Sequence, residues 1–117
     1  MFNVAILGAE AAETYEYFKK RCIFYLKNRA KEGITIYAVE EHEFVTKFAS
    51  EYHINIQYFY TDWKMYGKKA LVERNKLLIS TCCGIIWFDD KRKDTQMIVN
   101  LAKKTGTPVR DALKYKD

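Results

Sequence analysis

Short apolar runs alternate with segments of helical periodicity along the chain, and this alternation limits the folds that the sequence can adopt. The first run, residues 2–7, is almost continuously apolar and ends at Gly8. Two later runs, residues 34–39 and 83–88, have the same character. Continuous apolar strands of this kind occur mainly in parallel sheets whose two faces are both covered by helices. The sequence therefore predicts a central parallel sheet.

Four helices are predicted between these runs, because apolar residues recur at spacings of three and four. The first extends from about Glu13 to the residue before Gly33, the third begins at about Lys68, and Gly106 ends the fourth. In the first helix the positions expected to face the core are Tyr15, Phe18, Cys22, Tyr25 and Arg29. In the second helix they are Phe44, Val45, Phe48 and Tyr52. In the fourth helix they are Met97, Ile98, Leu101, Ala102 and Thr105.

The remaining strands complete the fold prediction. Residues 54–60 alternate between the two faces, which favours a half-covered strand near a sheet edge. Residues 107–110, which include the only proline, Pro108, form a short last strand, and the tail from Lys114 is expected to fray. The expected fold is a single α/β domain, residues 1–117. It is a three-layer sandwich with a mostly parallel sheet of about five strands and helices on both faces.

Composition restricts the class of protein. The chain has 117 residues, which suits one domain. Three cysteines without CxxC spacing and only two histidines give no basis for a zinc site, so no metal and no cofactor are predicted. Cys82 and Cys83 precede a buried strand and are expected to pack inertly as reduced thiols. The sequence shows neither a signal peptide nor an apolar run long enough for a membrane, which predicts a cytoplasmic location.

Charge and aromatic content suggest classes of partner. The net charge is +5, the pI is near 9.0, and aromatic residues make up 15% of the chain. A basic chain suits an anionic partner such as a nucleotide, a nucleic acid or an acidic protein face, although scattered lysines that confer solubility give the same number. The many tyrosines indicate either an interaction surface or a small core of large rings.

Residues 61–79 contain the strongest indication of a site. On the predicted helix Leu71, Asn75 and Leu78 share one face, and Arg74 lies between two further apolar positions. An unsatisfied buried polar group costs about 1–3 kcal/mol. Either these side chains line a site, or Asn75 bonds a neighbouring backbone group and Arg74 reaches water or a carboxylate.

Ligands of parallel α/β sheets bind beyond the carboxyl ends of the strands, which here are followed by residues 8–10, 40–43, 61–67 and 89–95. Gly8 either lets a phosphate approach the backbone or makes a tight turn. Trp63, helped by Tyr66, either stacks on a nucleobase or covers the sheet end. No catalytic residue is predicted. His42 has no matching nucleophile or second metal ligand and is expected to cap a helix.

The loop after the fourth apolar strand combines charge with a helix start. Asp89, Lys91, Arg92, Lys93 and Thr95 lie close together in the sequence. Cations, a hydroxyl and a helix N-terminus together are able to hold an anion. A solvated charge run is the alternative interpretation.

Several segments together resemble the YspA-like branch of the SLOG superfamily, which is related to the DNA-processing protein DprA and to the lysine decarboxylase-like phosphoribohydrolases. These segments are ILGAE after the first strand, TDWKMYGKKALVERNKLLI in the middle and IIWFDDKRKDTQMIVNLAKKTGTPVR near the end. The most specific part is DWxxYGKxA together with the pair Arg74 and Asn75. The resemblance covers nearly the whole chain. It implies a Rossmann-like fold that binds nucleotides or nucleotide-derived signals.

The resemblance also implies a set of pocket residues and reveals two departures. By position, the first loop contains Gly8 and Glu10, and the residues that border the pocket are Asp62, Trp63, Arg74, Asn75, Asp89 and Thr95. Glu10 stands where the family has a basic residue in Gly-Ser-Arg, and VEEHE replaces a glycine-rich loop of the form GGARGAD. That loop would supply backbone amides to a phosphate, so the chain resembles a divergent member of the family.

The leading functional hypothesis is a small module, more a binder than an enzyme, for a nucleotide or nucleotide-derived ligand. Trp63 would stack, Arg74 and Asn75 would bond polar groups, and residues 91–95, including Lys91 and Arg92, would contact an anion. The alternatives are a protein-interaction module, such as an inhibitor of a host system, and a single-stranded nucleic-acid binder. A homodimer formed through a helix face is also compatible with the apolar content, and no membrane partner is expected.

Overall fold

The computed structural model describes residues 1–113 and shows five strands separated by helices. The predicted tail from Lys114 lies outside the described residues. In chain order the elements are β1 (Phe2–Leu7), α1 (Tyr15–Leu26), β2 (Ile34–Ala38), α2 (Glu43–Glu51), β3 (Asn55–Tyr58), α3 (Trp63–Tyr66), α4 (Ala70–Thr81), β4 (Gly84–Trp87), α5 (Lys93–Thr105) and β5 (Val109–Asp111). Short 3-10 helices occupy Ala9–Ala12, Lys27–Glu32 and Gly67–Lys69.

The five strands form one sheet in the order β3-β2-β1-β4-β5, and every neighbouring pair is parallel. This confirms the predicted three-layer α/β, Rossmann-like architecture, with a sheet that is wholly rather than mostly parallel. The strand order reverses between β1 and β4, which are direct neighbours at the centre. β3 lies at an edge, as its alternating pattern predicted.

Two apolar clusters, one on each face, hold the layers together. Helices α1 and α2 cover one face, where the ring of Phe18 stacks on that of Phe88 at a centroid distance of 5.2 Å. Helices α4 and α5 cover the other face, where Leu78 and Val99 are fully buried. Burial of an aliphatic or aromatic side chain of this size contributes about 1.5–3 kcal/mol. The continuous apolar strands are therefore explained by coverage from both sides.

Some details of the predicted pattern were wrong. Residues 62–67 form the short helix α3 and the start of a 3-10 turn rather than a loop, because the Asp62 side chain accepts a bond from the Met65 amide. Tyr52 and Met97, expected to face the core, are 43% and 40% exposed. Tyr52 follows the last residue of α2, and the buried stripe of α5 is Thr95, Ile98, Val99 and Ala102.

Arg29 was expected to face the core from a first helix that continues to Gly33, but α1 ends at Leu26 and Arg29 is exposed in the 3-10 helix that follows. Thr105 was also expected to face the core and is exposed. Its hydroxyl instead donates to the Leu101 carbonyl at 3.0 Å near the end of α5. The αL conformation of Gly106 ends that helix, as the sequence predicted. No described helix is long and apolar enough to cross a bilayer.

Candidate functional site

A cleft of about 200 Å³ opens at the carboxyl edge of the sheet, between the ends of β2 and β3 and the helices α4 and α5. We call it the rim cleft. Its lining residues are Val39, Glu40, Thr61, Trp63, Leu71, Arg74, Arg92, Asp94, Thr95 and Ile98. Four of them, Trp63, Arg74, Arg92 and Thr95, belong to the set predicted from the sequence. The crossovers of the sheet thus bring together side chains from separate parts of the chain.

Arg74 is held at the cleft by the residue that follows it on α4. Asn75 is only 4% exposed, and its Oδ1 accepts a hydrogen bond from Nε of Arg74 at 2.9 Å. Partial burial lowers the pKa of the guanidinium, and the nearby carboxylates of Asp94 and Glu40 oppose that shift. The bond engages Nε, and within residues 1–113 the two Nη nitrogens of Arg74 have no hydrogen-bond partner. Asn75 itself does not line the cleft but contacts Arg74, which does.

Arg92 is the second guanidinium of the rim cleft, and two carboxylates already engage it. Its Nη1 lies 2.7 Å from Oε1 of Glu40 and 3.6 Å from Oε1 of Glu10. Glu40 is the main cause of the raised pKa of Arg92. The cleft also contains Asp94, so its two cations are matched by two carboxylates among the lining residues. An incoming phosphate would compete with carboxylates that are already in place.

The loop after β4 divides the predicted residues into two groups. Asp89 and Lys91 bond each other, since Oδ2 lies 3.0 Å from Nζ and Oδ1 accepts from the Lys91 amide at 3.0 Å. They fix the loop and do not line the cleft. Asp90 organises the lining residues, because its carboxylate accepts from the Arg92 amide at 3.1 Å and from the Thr95 hydroxyl at 3.0 Å.

Gly8 is required by packing against the end of β4. Its φ is +72°, and a Cβ at this position would lie 1.9 Å from the carbonyl oxygen of Phe88. The observation favours the tight-turn interpretation over phosphate binding. Helix α1 begins only at Tyr15, where the Thr14 side chain caps it, so Gly8 does not lead directly into that helix. Gly8 and Glu10 border a separate space of about 20 Å³.

The segment after β3 places aromatic rings at the surface. Trp63 lines the rim cleft and is 56% exposed, whereas Asp62 caps α3 through Oδ1 at 2.9 Å from the Met65 amide. Tyr60 and Tyr66 are 65% and 44% exposed. Residues 60–66, which we call the aromatic segment, therefore offer flat rings to a ligand or a partner.

The histidine and cysteine predictions have different outcomes. His42 caps α2 as expected, because its Nδ1 accepts from the Phe44 amide at 3.1 Å. Cys22 is buried and Cys82 is half-buried, but Cys83 is exposed rather than packed, since it lies before the covered part of β4. Within residues 1–113 no cluster of three or more His, Cys, Asp or Glu side chains is placed to hold a metal ion.

Three acidic residues important to the site were missing from the predicted pocket set. Glu40 and Asp94 line the rim cleft, and Asp90 holds the loop beside it. Topology supplied a signal for Glu40, which follows the end of β2 on the same sheet edge as the predicted residues. Asp94 lies in the first turn of α5, where carboxylates are common because they stabilise the helix N-terminus. Its position in the sequence therefore gave no sign that it lines a cleft.

Comparison of the chain with known protein families, with curated proteins and with solved structures gives no match. The resemblance to the SLOG superfamily therefore rests on the sequence motifs alone.

Proposed function

We propose that the protein binds a nucleotide-derived ligand in the rim cleft, with the base or nucleoside portion inside and any phosphate towards solvent. The observation that carries this proposal is the meeting of the exposed Trp63 indole with the guanidinium groups of Arg74 and Arg92 around one cleft. An indole gains about 1–3 kcal/mol from stacking on a base, and a guanidinium donates to carbonyl or ring acceptors. Parallel α/β sheets bind ligands at this edge.

The size of the cleft supports partial rather than complete enclosure of a nucleotide. Typical small-molecule pockets measure about 300–1,000 Å³, and the rim cleft measures about 200 Å³. It therefore accommodates part of a mononucleotide. Because Trp63 is 56% exposed, the rest of the ligand would extend over the surface beside it.

The charge distribution supports an uncharged group inside. Glu40 and Glu10 neutralise Arg92, and Asp94 lies close enough to influence the pKa of Arg74. A neutral base presents donors and acceptors to such a mixed lining, whereas a phosphate would face carboxylates. The replacement of the family's basic loop residue by Glu10 agrees with this interpretation.

A binding role is favoured over catalysis by the bonds that the polar lining residues already make. Glu40 bonds Arg92 at 2.7 Å, and the Thr95 hydroxyl donates to Asp90 at 3.0 Å. A general base or a nucleophile needs to be within hydrogen-bond reach of substrate in the right protonation state. Here these groups serve to fix the wall of the cleft.

Isothermal titration calorimetry tests the proposal with the four common ribonucleosides, their monophosphates and cyclic dinucleotides. We expect at least one nucleoside to bind, with the matching monophosphate within about tenfold in affinity, which corresponds to 1.4 kcal/mol. Trp63→Ala should weaken binding by about tenfold or more, since it removes the stacking surface. Arg74→Ala should also weaken binding. Leu77→Ala, at an exposed position of α4 outside the cleft lining, is the matched control.

Two outcomes would overturn the proposal. The first is the absence of binding heat with every compound at several temperatures. The second is binding that depends on phosphate and is unchanged in Trp63→Ala and Arg74→Ala, because the ligand would then lie elsewhere.

The second candidate function is a protein-interaction module, favoured by the exposure of the aromatic segment. Trp63, Met65 and Tyr66 are 56%, 71% and 44% exposed within four consecutive residues. Tryptophan, tyrosine and methionine are enriched in the centres of interfaces. The double variant Met65→Ser with Tyr66→Ser tests this role in a pull-down. It should lose a partner that the wild type captures, while nucleoside binding at the rim cleft persists.

A further inference from the structure

The two edges of the sheet are protected to very different degrees. β5 is only three residues long, follows Pro108 and contains Arg110 and Asp111. Short length, proline and charge are the devices by which proteins prevent an edge strand from pairing with another chain. β3 is also short, with four residues, but it contains neither proline nor a charged residue, since its sequence is Asn-Ile-Gln-Tyr. Of the two edges, that of β3 is therefore the one open to pairing.

The register of β3 shows which of its backbone groups are available. The Phe59 amide donates to the Ala38 carbonyl at 2.8 Å, and Ile56 lies opposite Ile36 in the parallel ladder. Backbone groups alternate between the two sides of a strand, so Asn55, Gln57 and Phe59 bond β2. The N–H and C=O groups of Ile56 and Tyr58 point away from the sheet.

The side chains around this edge also suit an interface. The rings of Tyr58 and Tyr60 stack with a centroid distance of 5.8 Å and an interplanar angle of 13°. Tyr60 and Tyr52, which flank the strand in sequence, are 65% and 43% exposed. Tyrosine combines a large apolar ring with a polar end that tolerates water when the interface is open.

We propose that β3 pairs with β3 of a second copy of this chain, antiparallel, about a two-fold axis that passes through Gln57 perpendicular to the sheet. In this register Ile56 lies opposite Tyr58 of the second copy, and Tyr58 lies opposite the second copy's Ile56. Each of these pairs exchanges two N–H···O=C bonds, because their backbone groups point outward. Gln57 lies opposite Gln57 of the second copy, and the two form a non-hydrogen-bonded pair with Cα atoms about 4.5 Å apart.

The outward groups determine this register. Ile56 and Tyr58 lie symmetrically on either side of Gln57, so a two-fold axis at Gln57 uses the outward groups of both residues in both copies. An axis perpendicular to the sheet keeps each side chain on its own face, so the two helix layers continue into those of the second copy. The result is one continuous sheet that contains the strands of both copies. The sequence suggested a helix face as the surface for a homodimer. The edge of β3 differs from a helix face because its outward N–H and C=O groups can form directional hydrogen bonds.

The composition of β3 limits charge repulsion between identical chains at this edge. Each copy carries a net charge of +5, so two copies repel one another at long range. β3 itself contains no charged residue, and the nearby carboxylate of Glu41 acts on the Tyr58 hydroxyl. The residues that face one another across the proposed axis therefore bring no like charges into direct contact. This inference does not depend on the proposed ligand, because the backbone of β3 is not part of the rim-cleft lining.

Analytical ultracentrifugation with a charge-swap pair tests the interface. Wild type should sediment as a concentration-dependent dimer. Gln57→Lys and Gln57→Glu each place two like charges face to face across the axis, so each should raise the dimer dissociation constant by about tenfold or more. Mixing the two variants in equal amounts should restore dimers, because the charges are then opposite. Gln57 is exposed, so both variants retain the fold, as circular dichroism will verify.

Asn100→Lys is the control, since it adds a charge at an exposed position of α5 and should leave the dimer intact. A monomeric wild type at the highest attainable concentration would overturn the proposal. A dimer that survives in Gln57→Lys, or variants that fail to associate on mixing, would overturn it as well, because the interface would then lie elsewhere.

Discussion

The Nε of Arg74 donates a hydrogen bond to Oδ1 of Asn75 at 2.9 Å, although the two residues are consecutive on helix α4. Successive side chains of a helix point in directions about 100° apart, so this contact requires the arginine to fold back towards the core. The buried amide thereby turns the guanidinium into the rim cleft. Asn75 is therefore placed to influence the rim cleft through Arg74, which lines it.

A double-mutant cycle should reveal this coupling in the stability of the protein. Asn75→Ala removes a buried hydrogen-bonding group and should lower the free energy of unfolding by about 1–3 kcal/mol. Arg74→Ala should cost less, because Arg74 is half-exposed. The coupling energy from urea unfolding of the two single variants and the double variant should be about 0.5–1.5 kcal/mol. Strictly additive effects would show that the bond contributes nothing.

Gly8 should tolerate no side chain. Gly8→Ala introduces a Cβ that would lie 1.9 Å from the Phe88 carbonyl oxygen, so the chain ends of β1 and β4 must separate. We expect a loss of about 3 kcal/mol or more in the free energy of unfolding, from steric overlap added to the cost of a positive φ. Gly106→Ala is the matched control, because Gly106 also has a positive φ, +84°, but no atom lies within 4 Å of its added Cβ. It should lose only about 1–2 kcal/mol. Similar losses at both positions would contradict the packing argument.

The three cysteines should differ in their rate of alkylation. Burial raises the pKa of the Cys22 thiol and, to a lesser extent, that of Cys82, and only Cys83 is exposed. Iodoacetamide reacts with an accessible thiolate. Mass spectrometry of the native protein should therefore show a fast adduct at Cys83, a slow one at Cys82 and none at Cys22. Denatured protein should label at all three sites. Rapid native labelling of Cys22 would mean that α1 opens readily from the sheet.

Glu51 should contribute to the loss of stability in acid. Hydrogen bonds from Lys19 at 2.9 Å, the larger cause, and from the Tyr15 hydroxyl at 2.9 Å hold the pKa of its carboxyl below the usual value. Because the folded state lowers this pKa, the contribution is complete above the unfolded value and disappears as the pH falls through the folded value. Urea unfolding at neutral pH and at a pH of about 3 should show a smaller acid loss in Glu51→Gln than in wild type.

Glu16→Gln, at an exposed position of α1, is the charge-matched control for this measurement. It should follow the wild-type dependence on pH. If Glu51→Gln and wild type lose the same free energy of unfolding on acidification, the bonds to Lys19 and Tyr15 do not persist in solution.

Sequence reasoning was most successful for the sheet and its helices. The run of residues 2–7 coincides with β1, and the alternating pattern after Tyr52 correctly placed β3 at an edge. These predictions succeeded because burial on one or both faces fixes the local periodicity of apolar residues, which is visible without any contact information. The α3 turn was missed because four residues are too few to establish a helical period.

The candidate site was only partly accessible from the sequence. Arg74 and Asn75 were noticeable because polar side chains at apolar positions violate the helical pattern. Asp89 and Lys91 have equally suitable chemistry, but the structure pairs them with each other away from the cleft. Composition gives the charges of a loop but not the partner that each charge will find, since that depends on distances between segments far apart in the chain.

The sequence by itself determined that this protein is a parallel α/β sandwich, since each strand and helix carries its own pattern of burial. Only the tertiary structure decided that Glu10 and Glu40 neutralise Arg92 and that the backbone at Gly8 packs against the Phe88 carbonyl. The reason is physical. Periodicity is a local property of the chain, whereas charge pairing and close backbone approach depend on which segments the crossovers bring together.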